Sequence, residues 1–93
     1  MTYFVVVAYD IRSTKRRTKV HNLLKDFGYR VQLSVFECEI TRKQCSELRG
    51  KIRKLINVET DSVRYYLLDK ENKARTTIDG CGKIFNQPGL LII

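Results

Sequence analysis

The chain reads as an α+β domain, a ferredoxin-like βαββαβ sandwich, and its order of patterns carries that reading. Tyr3–Asp10 is a near-continuous apolar strand closed by an acid. Two later stretches, Val20–Phe27 and Cys45–Ile56, repeat apolar residues at helical spacing. Between and after them lie β-rich segments, Tyr29–Ile40 and Val63–Leu68. Strand, helix, two strands, helix, strand is the split βαβ arrangement, a sheet with two helices on one face.

The elements follow in order. Ile11 to Thr14 form a short connection, with Ser13 or Thr14 as helix N-cap. Val20, Leu23, Leu24 and Phe27 fall at i, i+3, i+4 and i+7, while Lys15, Arg16, Lys19 and Lys25 lie largely off that stripe. Gly28 is expected to end this helix in a left-handed conformation. Val31, Leu33 and Val35 alternate before the phase changes around Ser34–Phe36, which predicts two short strands or one sharply bent. Thr41 with Gln44 makes a capping box. Cys45, Leu48, Ile52, Leu55 and Ile56 form the second stripe, which Gly50 weakens slightly. After the strand Val63–Leu68, Lys70–Lys73 reads as a turn and Ala74–Asp79 as a short returning strand. Gly80, Gly82, Pro88 and Gly89 mark a loose connection to an aliphatic end, Leu90–Ile93. The expected division is a domain over 1–79 and a tail over 80–93. That tail adds a C-terminal extension strand to a sheet edge, its own or a second subunit's.

At 93 residues the chain makes one domain with a modest core. The net charge is +8, with pI about 9.7. Residues 12–30 hold seven Lys/Arg against Asp26, and residues 42–54 hold six against Glu47. Two basic blocks, unlike evenly spread charge, point to a polyanion partner. Three cysteines without a C-x-x-C pair, and a single histidine, exclude a zinc cluster within one chain. The first strand begins almost at Met1, with no leader and no apolar run of spanning length, so the expectation is a cytoplasmic protein with no membrane partner.

Asp10 is the candidate catalytic and metal-binding residue. Mg2+ takes oxygen ligands and keeps several waters, so one or two carboxylates suffice to hold it beside a phosphate. One acid per chain is thin for that task, and a two-fold homodimer would supply a second. An aspartate that merely closes a turn is the bland reading of the same residue. The basic run after it supplies candidate nucleic-acid contacts: Arg12, Lys15, Arg16, Arg17 and Lys19, joined by Arg30. Lys15 to Arg17 sit in the first helical turn, where cations oppose the helix dipole. A structural need alone would not place them there. Tyr9 and Phe36 are the aromatic candidates for stacking on bases near the metal, against the reading that each belongs to the core. His21 has no acid nearby in sequence and reads as a surface histidine, and Cys45 reads as core.

Laid out in this order, the residues resemble the second CRISPR-associated adaptation protein family, the small subunit of the spacer-acquisition complex. The resemblance spans roughly the whole chain. It rests on Val6–Ile11, Arg16–Val20, Gly28–Glu37, Asp61–Leu68 and the aliphatic tail. It implies a ferredoxin-like homodimer in which Asp10 faces its mate across the axis and holds magnesium. It also implies metal-dependent cleavage of single-stranded RNA or duplex DNA, and a complex with the CRISPR integrase.

Two functions from different classes follow. One is a magnesium-dependent endonuclease acting with the integrase in spacer acquisition. The other is a non-catalytic scaffold that binds duplex DNA and bridges integrase dimers. Both need the basic surface, and only the first needs Asp10. A single-strand RNA-binding sheet of the same topology would want exposed aromatics on its central strands. Phe4–Ala8 is too apolar for that, which suggests that a second subunit covers the face.

Overall fold

The computed structural model of the chain describes residues 1–81. The element order is β1 (Thr2–Asp10), α1 (Thr14–Leu24), β2 (Gly28–Gln32), β3 (Val35–Thr41), α2 (Arg42–Leu55), β4 (Ser62–Leu68) and α3 (Lys70–Ala74). One four-stranded sheet has the order β2-β3-β1-β4. Every adjacent pair is antiparallel, and β1 pairs with β3 on one side and β4 on the other. This is the expected βαββαβ arrangement, with β3 inserted between β1 and β2.

Strand alternation decides which residues meet the helices. Val5 lies opposite Cys38 and Leu67, and Val7 opposite Phe36 and Tyr65. These helix-facing columns meet Val20 and Leu24 of α1 and Leu48 and Ile52 of α2. Val5, Val7, Phe36, Cys38 and those four helical residues are all fully buried. Both expected apolar stripes therefore pack where their periodicity placed them. Leu23, Phe27, Leu55 and Ile56 lie partly buried at the margin.

The helix starts are chemically explicit. Ser13 caps α1 by accepting from the Arg16 amide at 3.3 Å. Thr41 and Gln44 form the reciprocal capping box of α2, at 3.1 and 2.8 Å. The end of α1 differs from expectation. Lys25 keeps right-handed geometry, and the chain tightens through Asp26 N–H to Leu23 and Phe27 N–H to Leu24 carbonyls. Gly28 is the first residue of β2 and has no positive φ; among the described residues only Gly80 does, at 91°. The requirement for glycine at 28 is space. A Cβ there would fall on the Glu37 carbonyl oxygen and 2.5 Å from Cys38 Sγ.

Two further expectations are corrected. Lys70–Lys73 is no turn: Asp69 accepts from the Asn72 amide at 2.8 Å and caps the short helix α3. The strand expected over 74–79 is absent, because α3 runs to Ala74 and no regular element follows it to Asp79. On the face away from α1 and α2, Lys73 of α3 lies 5.3 Å from the Phe4 ring and 3.4 Å from Glu39. Phe4 is thereby 97% covered, at 3% exposure. The extension strand expected within the tail, Leu90–Ile93, lies outside the described residues. None of the described helices is long and apolar enough to cross a membrane.

Candidate functional site

Asp10 closes β1 opposite Ser62 of β4 and is exposed. Alternation sets it on the same face as Phe4, Val6 and Ala8, away from α1 and α2. Arg64, opposite Ala8, shares that face, and its Nη1 lies 3.4 Å from the Tyr66 hydroxyl. Arg64 is a residue that sequence reasoning missed. The signal was present in the alternation of Ser62, Arg64 and Tyr66 with Val63, Tyr65 and Leu67.

Asp10 offers one carboxylate at this end of the strand, an oxygen donor of the kind a hard cation takes. No group of three or more His, Cys, Asp or Glu able to hold a metal occurs among the described residues. Asp10 would hold magnesium as a single carboxylate, with water or further oxygen donors completing the shell.

The residues after Asp10 divide by what they touch. Asp61, just before β4, is the most heavily partnered side chain among the described residues. Its carboxylate accepts from the Arg16 Nε at 2.8 Å and Nη2 at 3.1 Å. It also accepts from the amides of Arg12 at 3.0 Å and Asn57 at 2.9 Å, and from the Thr60 hydroxyl at 3.3 Å. The side chain is fully shielded from solvent. The Arg16 guanidinium, aided by the backbone donors, holds this carboxyl well below the usual carboxylate range. The fork of Arg16 is therefore spent on Asp61, and the residue ties α1 to the loop before β4. That corrects its assignment to phosphate. Sequence offered no hint of this pair, whose members stand 45 positions apart.

Arg12, Lys15, Lys19 and Arg30 are exposed and Arg17 is half-buried. Arg17 and Arg30 come from different elements yet both act on Tyr9, and Arg30 and Lys25 both act on His21. Arg17, Lys25 and Arg30 thus lie near the Tyr9–His21 pair. Burial followed by the charges of Arg30 and Lys25 pushes the His21 imidazole below its ordinary value.

Tyr9 and Phe36 are not placed for base stacking. Tyr9 is 6% and Phe36 0% exposed. Their rings stack on each other at 6.5 Å, and His21 meets Phe36 edge-on at 5.4 Å. Burial raises the Tyr9 hydroxyl despite Arg30 and Arg17 nearby. Both residues point to the helix side of the sheet, and Tyr9 is one position out of phase with Asp10. Of the expected set, the structure brings Arg17, Arg30 and Tyr9 together and separates them from the face that carries Asp10.

The family model for the CRISPR-associated protein Cas2 matches residues 1–76. The chain is 37% identical over 91 residues to the CRISPR-associated endoribonuclease Cas2 3 of Synechocystis, covering 98% of this chain and 99% of that protein. The Streptococcus pyogenes Cas2 crystal structure superposes with TM-score 0.74 at 36% identity, covering 83% of this chain and 99% of that one. A chain of a partial Cas6-RT-Cas1–Cas2 complex superposes with TM-score 0.73 at 32% identity, covering 84% and 90%.

Proposed function

The chain belongs to the Cas2 family of CRISPR-associated proteins, and on that premise we propose that it is a magnesium-dependent endonuclease of CRISPR adaptation, working beside an integrase subunit. The observation that carries this reading is the exposed Asp10 at the end of an interior strand, on the sheet face that α1 and α2 leave open. Metal held there would supply charge neutralisation at a scissile phosphate and a more acidic bound water. Asp10 keeps its carboxylate anchored by the β1–β4 ladder, and Arg64 on the same face offers a cation to the phosphate. Water adds to phosphorus, the bridging P–O bond breaks, and the departing oxygen takes a proton. The substrate is single-stranded RNA, duplex DNA or both.

The same reading includes a homodimer. Half-buried Val6, Ala8 and Val35 and exposed Tyr66 share the face of Asp10. A second copy on that face would cover this apolar surface and bring two Asp10 carboxylates together. A monomer at micromolar concentration in analytical ultracentrifugation would refute the shared site.

One observation favours a scaffold that binds duplex DNA for the integrase to act upon. The cations of α1 lie in the helical layer, and Asp10 lies on the opposite face of the sheet. Asp10→Asn separates the two readings, assayed for cleavage of labelled RNA and duplex with magnesium or chelator beside a binding titration. The nuclease reading expects cleavage to vanish and binding to hold. Binding by both proteins with cleavage by neither assigns the scaffold role.

A further inference from the structure

The second basic block is the feature that the strand-end site leaves unused. A groove of about 470 Å³ runs between α2 and β4, lined by Arg42, Cys45, Ser46, Arg49, Tyr65 and Leu67. No acid lines it. Arg42 and Arg49 stand seven residues apart and Arg53 eleven from the first, close to two and three helical turns, so the three stack along one flank. None of them joins an ion pair among the described residues.

Two of these arginines are already held in place. The Arg42 guanidinium lies 5.3 Å from the Tyr3 ring centroid, and that of Arg49 lies 5.6 Å from that of Tyr65. A guanidinium stacked on a ring keeps its N–H edge free, and that edge matches a phosphate bidentately. Fixing it beforehand removes ordering cost from binding. From Arg42 to Arg53 the row is about 16 Å long, which spans about five nucleotide steps of a duplex strand.

We propose that the α2–β4 groove and the helix flank continuing from it are a second nucleic-acid contact, in which Arg42, Arg49 and Arg53 clasp spaced phosphates of one backbone independently of Asp10 and of the α1 cations. Arginine stands at all three positions, whereas Lys43, Lys51 and Lys54 stand on other flanks of the helix, with Lys51 over the Phe27 ring. That division is the pattern of directed phosphate contact over a diffuse positive field. The inference rests on the nucleic-acid reading above and adds a specific surface to it.

The test compares Arg42→Gln/Arg49→Gln/Arg53→Gln with the control Lys43→Gln/Lys51→Gln/Lys54→Gln, each checked by melting temperature. Duplex DNA binding is titrated from 50 to 200 mM salt, and poly-L-glutamate binding is measured alongside. The arginine variant should lower the log–log salt slope by about 2 to 3, since each phosphate contact contributes about 0.9. The lysine control should change it by less than half as much. Equal losses in both variants would mean a general field and overturn the site. An unchanged duplex slope with lost poly-L-glutamate binding would assign the groove to an acidic polypeptide and overturn it equally. A wild-type chain that binds no duplex would overturn the parent reading, an outcome separate from a wild type that binds with a slope insensitive to the arginines.

Discussion

Phe36→Leu separates a ring that packs from a ring that binds. Phe36 is fully buried, stacked on Tyr9 and met edge-on by His21. Truncation to alanine would cost about 3–5 kcal/mol, a large part of a domain's whole stability, and unfolding would then mask any binding effect. Leucine keeps the apolar character and most of the volume. It forfeits two aromatic contacts, at about 0.5–1.5 kcal/mol each, and leaves a small void. The expected loss is about 1.5–3 kcal/mol, which lowers the melting temperature of a domain this size by about 10–20 °C. Thermal unfolding by circular dichroism measures that fall. Duplex affinity, titrated at 15 °C where both proteins are folded, should stay within about twofold. Stacking on a base would instead be worth about 1–3 kcal/mol, a loss of about fivefold or more in affinity. An unchanged melting temperature with such a loss of affinity would refute the packing argument.

Asp61→Asn should flatten the acid limb of stability. The Asp61 carboxyl is held below its ordinary value when folded, so on acidification the unfolded chain takes up its proton first. Its contribution is therefore complete above about pH 4 and is lost as pH falls further. Melting temperatures at pH 7 and pH 3 should differ more in wild type than in Asp61→Asn, and equal differences would dismiss the clamp. Gly28→Ala should destabilise by about 1–3 kcal/mol through overpacking against Glu37 and Cys38. Urea unfolding measures this, and a midpoint at or above that of wild type would show that the strand yields freely.

The element order was legible because β1, α1, α2 and β4 carry strong periodic patterns and a capping box, all of them local signals. Errors arose where a residue type has two physical uses. In sequence Gly28 suggests backbone freedom, whereas the structure needs its missing side chain. Asp69 was a readable N-cap, but five residues of helix carry too little apolar periodicity to stand out from a turn. At the site, Asp10 was legible because a strand fixes its end. Tyr9 lies in the core because adjacency to Asp10 in sequence is opposition across a sheet, and Phe36 lies there because it pairs with the helix-facing Val7. Arg16 could not be separated from Arg17 and Lys19 without Asp61, whose position depends on the whole fold.

The interior place of β1 has a consequence for how the chain is made. Its partners are β3, beginning at Val35, and β4, beginning at Ser62. This strand is thus made before both of its neighbours, and its ladder with β4 awaits synthesis of just over fifty further residues. At about 5–20 residues per second, the apolar strand Phe4–Ala8 stays without one edge partner for several seconds. Closing that distance is an entropic debt repaid only when the β4 ladder and the Asp61 clamp form together. Folding of this sheet is therefore expected to complete only once β4 has been made, with the Asp10 end of the strand locked among the final steps.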